Sequence, residues 1–281
     1  MRTLLEPFQY GFFRHAIAVA SLAGALCGLV GVYVVLRGMS YIGHGLSHAI
    51  FGGAVAAYVL SLNFYLGAGA WGVLAALLIN KVARRRTIGA DAAIGVVTTA
   101  SFAVGLALIS RFGGFTRNFE AALFGNVLGV TLADVWVVFG VLVFAAGVVF
   151  FRYRQLLFAT FDPEVADISG VSTARTDVLL AVTLAATITA TMNVLGVTLI
   201  AAVLVIPAVI ARLLTDSFGR MLGISVAVGV FCGFFGVYGS YYLNISSGAS
   251  VVLVGAAIFV VAFAFSGRRR RLPDVASEAH V

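Results

Sequence analysis

Long apolar runs separated by short polar breaks recur along the whole chain, at 16–36, 41–61, 65–80, 91–110, 132–151, 176–192, 195–213, 221–242 and 248–266. About 20 apolar residues wound as a helix cross roughly 30 Å of hydrocarbon, so each run predicts a transmembrane span, nine in all. The alternating segments of a membrane β-barrel are absent. The expected fold class is all-α: a polytopic transmembrane helical bundle forming a single domain over 1–281. No hydrophilic stretch is long enough to fold alone, and the largest polar break is 152–175.

Composition agrees with lipid as the solvent. Of 281 residues, 62% are hydrophobic and 10% charged, and the mean hydropathy is +1.09, far more apolar surface than one water-soluble core can bury. The segment 1–15 carries Glu6 and Pro7 but neither a basic n-region nor a small-residue cleavage site. The first span is therefore expected to be retained, with 1–15 external or interfacial. Cys27 and Cys232 fall inside spans, where a thiol acts as a small hydrophobe, and no disulfide is expected.

The net charge of +7 is best understood through placement. If the tail 267–281, with its four consecutive arginines, is cytoplasmic and every span crosses, then 14 of the 18 basic residues lie inside. Four lie outside: Arg2, Arg14, Arg111 and Arg117. This bias follows the positive-inside rule and predicts an external N-terminus and a cytoplasmic C-terminus in the cell membrane. Topology thus accounts for the basic charge, and no nucleic-acid partner is expected.

Inside 152–175, the segment FDPEVADISG at 161–170 has the grammar of a short capped helix. Asp162 is placed as N-cap, Pro163 at the first helical position, Glu164 near the positive dipole end and Gly170 as the stop. Phe161, Val165 and Ile168 would then be displayed. That suits either a partner's groove or a bed of lipid headgroups. The segment 115–130, with Asn118, Glu120, Asn126 and a short apolar run at 121–124, is expected to be re-entrant or interfacial. Gly24 with Gly28, and Gly229 with Gly233, are small-xxx-small pairs expected to let helices approach closely.

The candidate chemistry lies in GMSYIGHGLSHAIFGG at 38–53. His44 and His48 are four residues apart, which puts both imidazoles on one helical face within reach of a single ion. The surrounding glycines imply that the helix is broken there or closely packed. Polar groups at membrane depth are expensive and point to function, although two histidines can also simply hydrogen-bond neighbouring helices. Two imidazoles leave a metal site incomplete. Water, Ser47, Asp91, Asp134 and Asn193 are candidates for the rest, the last three being equally suited to capping span ends. His15 lies at the edge of the first span and His280 in the tail.

Enzymatic readings fit poorly. A zinc protease helix of the form H-E-x-x-H needs Glu between its histidines, and position 45 is Gly. Lys81 is the only lysine and follows Asn80, so no G-x-x-x-x-G-K-[ST] phosphate loop exists and ATP hydrolysis would have to come from another subunit. The acids cluster at loops and span ends rather than deep in spans, which disfavours a proton-coupled secondary carrier. That carrier and a non-transporting scaffold are the rival readings.

Three stretches, VVLRGMSYIGHGLSHA at 34–49, FDPEVA at 161–166 and GVTLIAAVLVIPAVIAR at 196–212, give the chain a resemblance to the membrane permeases of ATP-binding-cassette importers for zinc, manganese and iron. It covers nearly the whole length. The resemblance implies a type II importer permease fold and a homodimer of permeases. It also implies cytoplasmic ATPase subunits that bind the ATP, and an extracytoplasmic metal-binding protein that delivers the ion. No permanently bound cofactor is implied; the divalent metal is cargo. The family's first motif usually has Asp where this chain has His44, and His48 matches its histidine. Imidazole in place of a hard carboxylate favours zinc, with manganese next. The resemblance makes Asp162, Pro163, Glu164, Val165, Ile168 and Gly170 the coupling helix on the ATPase. Pro207 removes a helix hydrogen bond and marks either a bend beside the pathway or a static kink.

Overall fold

Backbone polar groups in hydrocarbon must be satisfied within their own segment, and the apolar runs accordingly wind into helices. The computed structural model describes residues 5–83, 90–112, 125 and 129–269. After a 3-10 turn at Glu6–Gln9 come α1 (Gly11–Leu36), α2 (Ser40–Val59), α3 (Phe64–Ala83), α4 (Ala90–Phe112), α5 (Leu132–Phe151), α6 (Tyr153–Phe161) and α7 (Pro163–Ile168). The chain continues through α8 (Thr173–Leu195), α9 (Ile200–Leu214), α10 (Phe218–Leu243) and α11 (Ser247–Arg269). No strand occurs among the described residues. The expectations for Asn118, Glu120, Asn126 and 121–124, for the arginines at 84–86, for most of the tail and for His280 lie outside them.

Nine of these helices answer to the nine apolar runs, and seven are long and apolar enough to cross a membrane. The other two differ for separate reasons. α2 has 20 residues but is diluted by two histidines, two serines and four glycines, whereas α9 is apolar but only 15 residues long. At 1.5 Å per residue, α9 is about 22 Å, and the non-helical residues 196–199 that precede it make up the rest of that apolar run.

The helices pack in two groups. α1, α9, α10 and α11 form one; α2, α3 and α4 form the other; α8 lies against members of both. The most apolar stretches of α1 and α8 are 78% and 72% buried, against 11% for α5. α1 and α8 are thus the spine, and the chain itself leaves most of the α5 surface uncovered. Glycines set the closest approaches. A methyl group at Gly24 would stand 2.0 Å from the Gly229 carbonyl oxygen, and one at Gly28 2.5 Å from that of Ser225, so the two small-xxx-small pairs do bring α1 and α10 into backbone contact.

The reversal from α1 into α2 takes three residues. Gly38 adopts φ +66, its N–H bonds the Val35 carbonyl and the Met39 N–H bonds that of Val34. This is the Schellman ending, which needs a residue free to enter the left-handed region. It launches α2 directly off the end of α1.

Candidate functional site

α2 is one continuous helix through the histidine segment. Of the two expectations for its glycines, close packing holds and breakage does not. Gly45 faces Ile94 and Thr98 of α4, Gly52 faces the Ser101 carbonyl, and Gly53 faces the Trp71 ring on α3. Neighbours therefore grip α2 along its length and fix its rotation.

That rotation sets His44 and His48 one above the other, their ring centroids 4.7 Å apart and edge to face. A metal–imidazole bond of about 2.1 Å puts each centroid roughly 3.2 Å from the ion, so two rings on one tetrahedral ion lie about 5 Å apart. The observed pair is already close to that spacing. Both rings are half-buried. The Tyr41 ring lies 5.8 Å from His44 and the Phe102 ring, from α4, 5.3 Å from His48. An aromatic row, Tyr41–His44–His48–Phe102, thus frames the imidazoles.

Two of the other candidate ligands, Asp134 and Asn193, are engaged elsewhere. Asp134 closes a capping box at the start of α5, accepting from the Thr131 N–H at 2.8 Å and its hydroxyl at 2.6 Å. It also accepts a short hydrogen bond from the Tyr65 phenol, and the Asn193 amide donates to that phenol at 3.1 Å. This network ties the start of α3 to the start of α5 and the end of α8. It belongs to the end of the bundle opposite the first turns of α2. Asp91 sits exposed in the first turn of α4. Among the described residues no three His, Cys, Asp or Glu side chains gather as a metal site. Among the described residues, the chain brings only the two imidazoles together.

Ser47 lies between the histidines in sequence but is fully buried. Its hydroxyl lies 2.8 Å from the His44 carbonyl and 2.9 Å from the Val197 carbonyl, in the non-helical stretch between α8 and α9. Gly196, in that stretch, has φ +80 and ψ 150, a conformation essentially reserved for glycine. Pro207 is buried within α9 and leaves the Val203 carbonyl without its usual helical donor.

At the α2 launch point itself stands a charge pair. Arg37 Nη1 is 2.6 Å from Asp177 of α8, and Arg37 Nε donates to the Thr160 hydroxyl of α6 at 3.2 Å. The capped helix follows. Asp162 accepts from the Val165 N–H at 3.0 Å, Pro163 opens α7, and Gly170 leaves it at φ +79. Ala166 is buried beneath, while Phe161, Val165 and Ile168 are exposed, Ile168 by 87%. Arg37, Thr160 and Asp177 were not singled out from the sequence as a unit. The one available signal was an arginine directly after an apolar run and an acid early in another.

The chain matches the ABC 3 transport family over residues 9–266. It belongs to that family. It is 36% identical over 264 residues to the manganese transport system membrane protein MntC of Halalkalibacterium halodurans, covering 94% of this chain and 90% of the relative. It is 34% identical over 270 residues to the probable iron transport system membrane protein of Haemophilus influenzae, covering 95% and 98%. Among solved structures it resembles PsaBC from Streptococcus pneumoniae in complex with Fab, with a TM-score of 0.85 at 31% identity over 96% of this chain and 97% of that one. The ABC 3 protein described here is therefore a multi-pass membrane permease of a metal-importing ATP-binding-cassette system.

Proposed function

We propose that this permease is a single transmembrane domain that takes a divalent transition metal from an extracytoplasmic binding protein and passes it inward across the membrane. His44 and His48 are its transient ligands. The observation that carries this reading is the imidazole pair at 4.7 Å on a glycine-gripped helix, a spacing that suits one ion without rebuilding. Two copies of the chain would face one another across the pathway and complete the coordination sphere. The charge bias supports an external N-terminus with a cytoplasmic C-terminus. That orientation puts the α1–α2 turn, α6 and α7 at the cytoplasmic face.

Energy would come from separate ATPase subunits, because the single lysine cannot build a phosphate loop. Asp162, Pro163, Glu164, Val165, Ile168 and Gly170 form the element that docks on them, a capped helix displaying apolar side chains as groove-binding helices do. Manganese is the favoured cargo, in keeping with the names of the relatives. Zinc is a second reading. It rests on one observation, that His44 supplies nitrogen where the family motif usually supplies a carboxylate, and nitrogen sites hold manganese more weakly.

The test is uptake into vesicles carrying the permease, its ATPase and its binding protein, with manganese and zinc offered separately. Uptake is expected only with ATP and both partners. Uptake driven by an ion gradient without ATP would refute the reading in favour of a secondary carrier. The ratio of the two ions decides between manganese and zinc.

A further inference from the structure

We infer that Ser47 is a positioning residue. Through its hydrogen bond to the Val197 carbonyl it fastens the histidine turn of α2 to the far end of α8, so that movement at the docking helix α7 reaches His44 and His48. The inference rests on the reading that those histidines carry the metal.

Three observations carry it. Ser47 is fully buried and shares its α2 turn with both histidines, yet its hydroxyl meets a carbonyl 150 positions away in sequence, at 2.9 Å. The hydroxyl's one proton is shared between the His44 carbonyl at 2.8 Å, the ordinary back-bond of a helical serine, and the Val197 carbonyl, the arm that crosses between elements. Second, the receiving segment is braced. Val194, Leu195 and Val197 are buried, Gly196 holds a backbone conformation other residues resist, and a methyl at Gly125 would stand 2.3 Å from the Val194 carbonyl oxygen. Irregular backbone inside a membrane bundle persists where protein encloses it, and here it has a fixed place for its carbonyl.

Third, the near end of α8 is tied to α7. Asp167, in α7, accepts from both the N–H and the hydroxyl of Thr173, each at 3.1 Å, at the first residue of α8. Four residues on, Asp177 holds Arg37. Between these ties and Val197 runs a single buried helix of 23 residues, about 34 Å long. Helices of this kind move as rigid bodies. A tilt of α7 imposed by an ATPase would therefore be delivered at Val197, and Ser47 is the side chain that takes it up.

The experiment compares wild type, Ser47→Ala, Ser47→Thr and His48→Ala in the full importer, measuring KM for the ion, ions imported per ATP hydrolysed and the thermal midpoint of the permease. Ser47→Ala is expected to assemble with a slightly lowered midpoint, raise KM and lower ions per ATP by about fivefold, the size of one neutral hydrogen bond. Ser47→Thr, which keeps the hydroxyl, is expected to restore the stoichiometry. Wild-type KM and stoichiometry in Ser47→Ala, with His48→Ala inactive, would overturn this inference alone. Loss of stability and uptake together in both Ser47 variants would also overturn it, by showing a packing role. Normal uptake in His48→Ala would instead remove the reading beneath it.

Discussion

The histidine turn of α2 and the short helix α7 are both polar interruptions in an apolar chain, but they are held in place by opposite means. α7 is specified by its own residues: Asp162 caps it, Pro163 starts it and Gly170 ends it. Its apolar side chains point away from the bundle, and little but Ala166 is buried. The α2 turn has no side-chain cap. It is positioned by what surrounds it: the α4 backbone at Gly52, the Trp71 ring at Gly53 and the Val197 carbonyl at Ser47. The proposed docking surface can be built locally because a partner would complete it, whereas the proposed ion site needs its rotamers fixed from several sides.

That contrast can be broken from either side. The larger effect is expected in α2. Gly52→Ala places a methyl 2.1 Å from the Ser101 carbonyl oxygen, so backbone must shift, at a cost of roughly 1–3 kcal/mol. Permease stability and metal uptake should fall together, while Gly95→Ala, which meets nothing within 4 Å, should cost neither. Equal effects at the two glycines, read by thermal unfolding, would show that α2 is not gripped as described. The smaller effect is expected at α7. Ile168→Asp removes an exposed apolar side chain from the proposed ATPase groove and should weaken that association about tenfold, or about 1.4 kcal/mol, with the permease's own midpoint unmoved. Undiminished association in a pull-down with the ATPase would count against docking there.

The same contrast explains what was legible beforehand. All nine helices, the cap at Asp162 and the stop at Gly170 follow from residues adjacent in sequence, and the structure bears these out. The close approach of α1 and α10 was legible too, because small residues at spacing four leave few other uses. What was not legible depends on partners far along the chain. Glycine density around His44 and His48 left a broken helix and a tightly packed one equally open, and only the neighbours at α3 and α4 decide for packing. Ser47 was a plausible ligand until the Val197 carbonyl appeared beside it. Asp134 and Asn193 were equally open between ligand and cap, and the Tyr65 phenol resolves both as structural. The expectation of zinc drew on the softness of imidazole alone, and the relatives bear manganese and iron in their names.

The central claim is that His44 and His48 hold the ion in transit, and uptake by His48→Ala tests it most directly. With the importer assembled and supplied with ATP and loaded binding protein, removing one imidazole from each chain is expected to cut metal uptake by roughly a hundredfold, since the coordination sphere is left short of ligands. The complex should still assemble, because the ring is half-buried at the edge of the packed helix. Uptake at the wild-type rate in that variant would contradict the account.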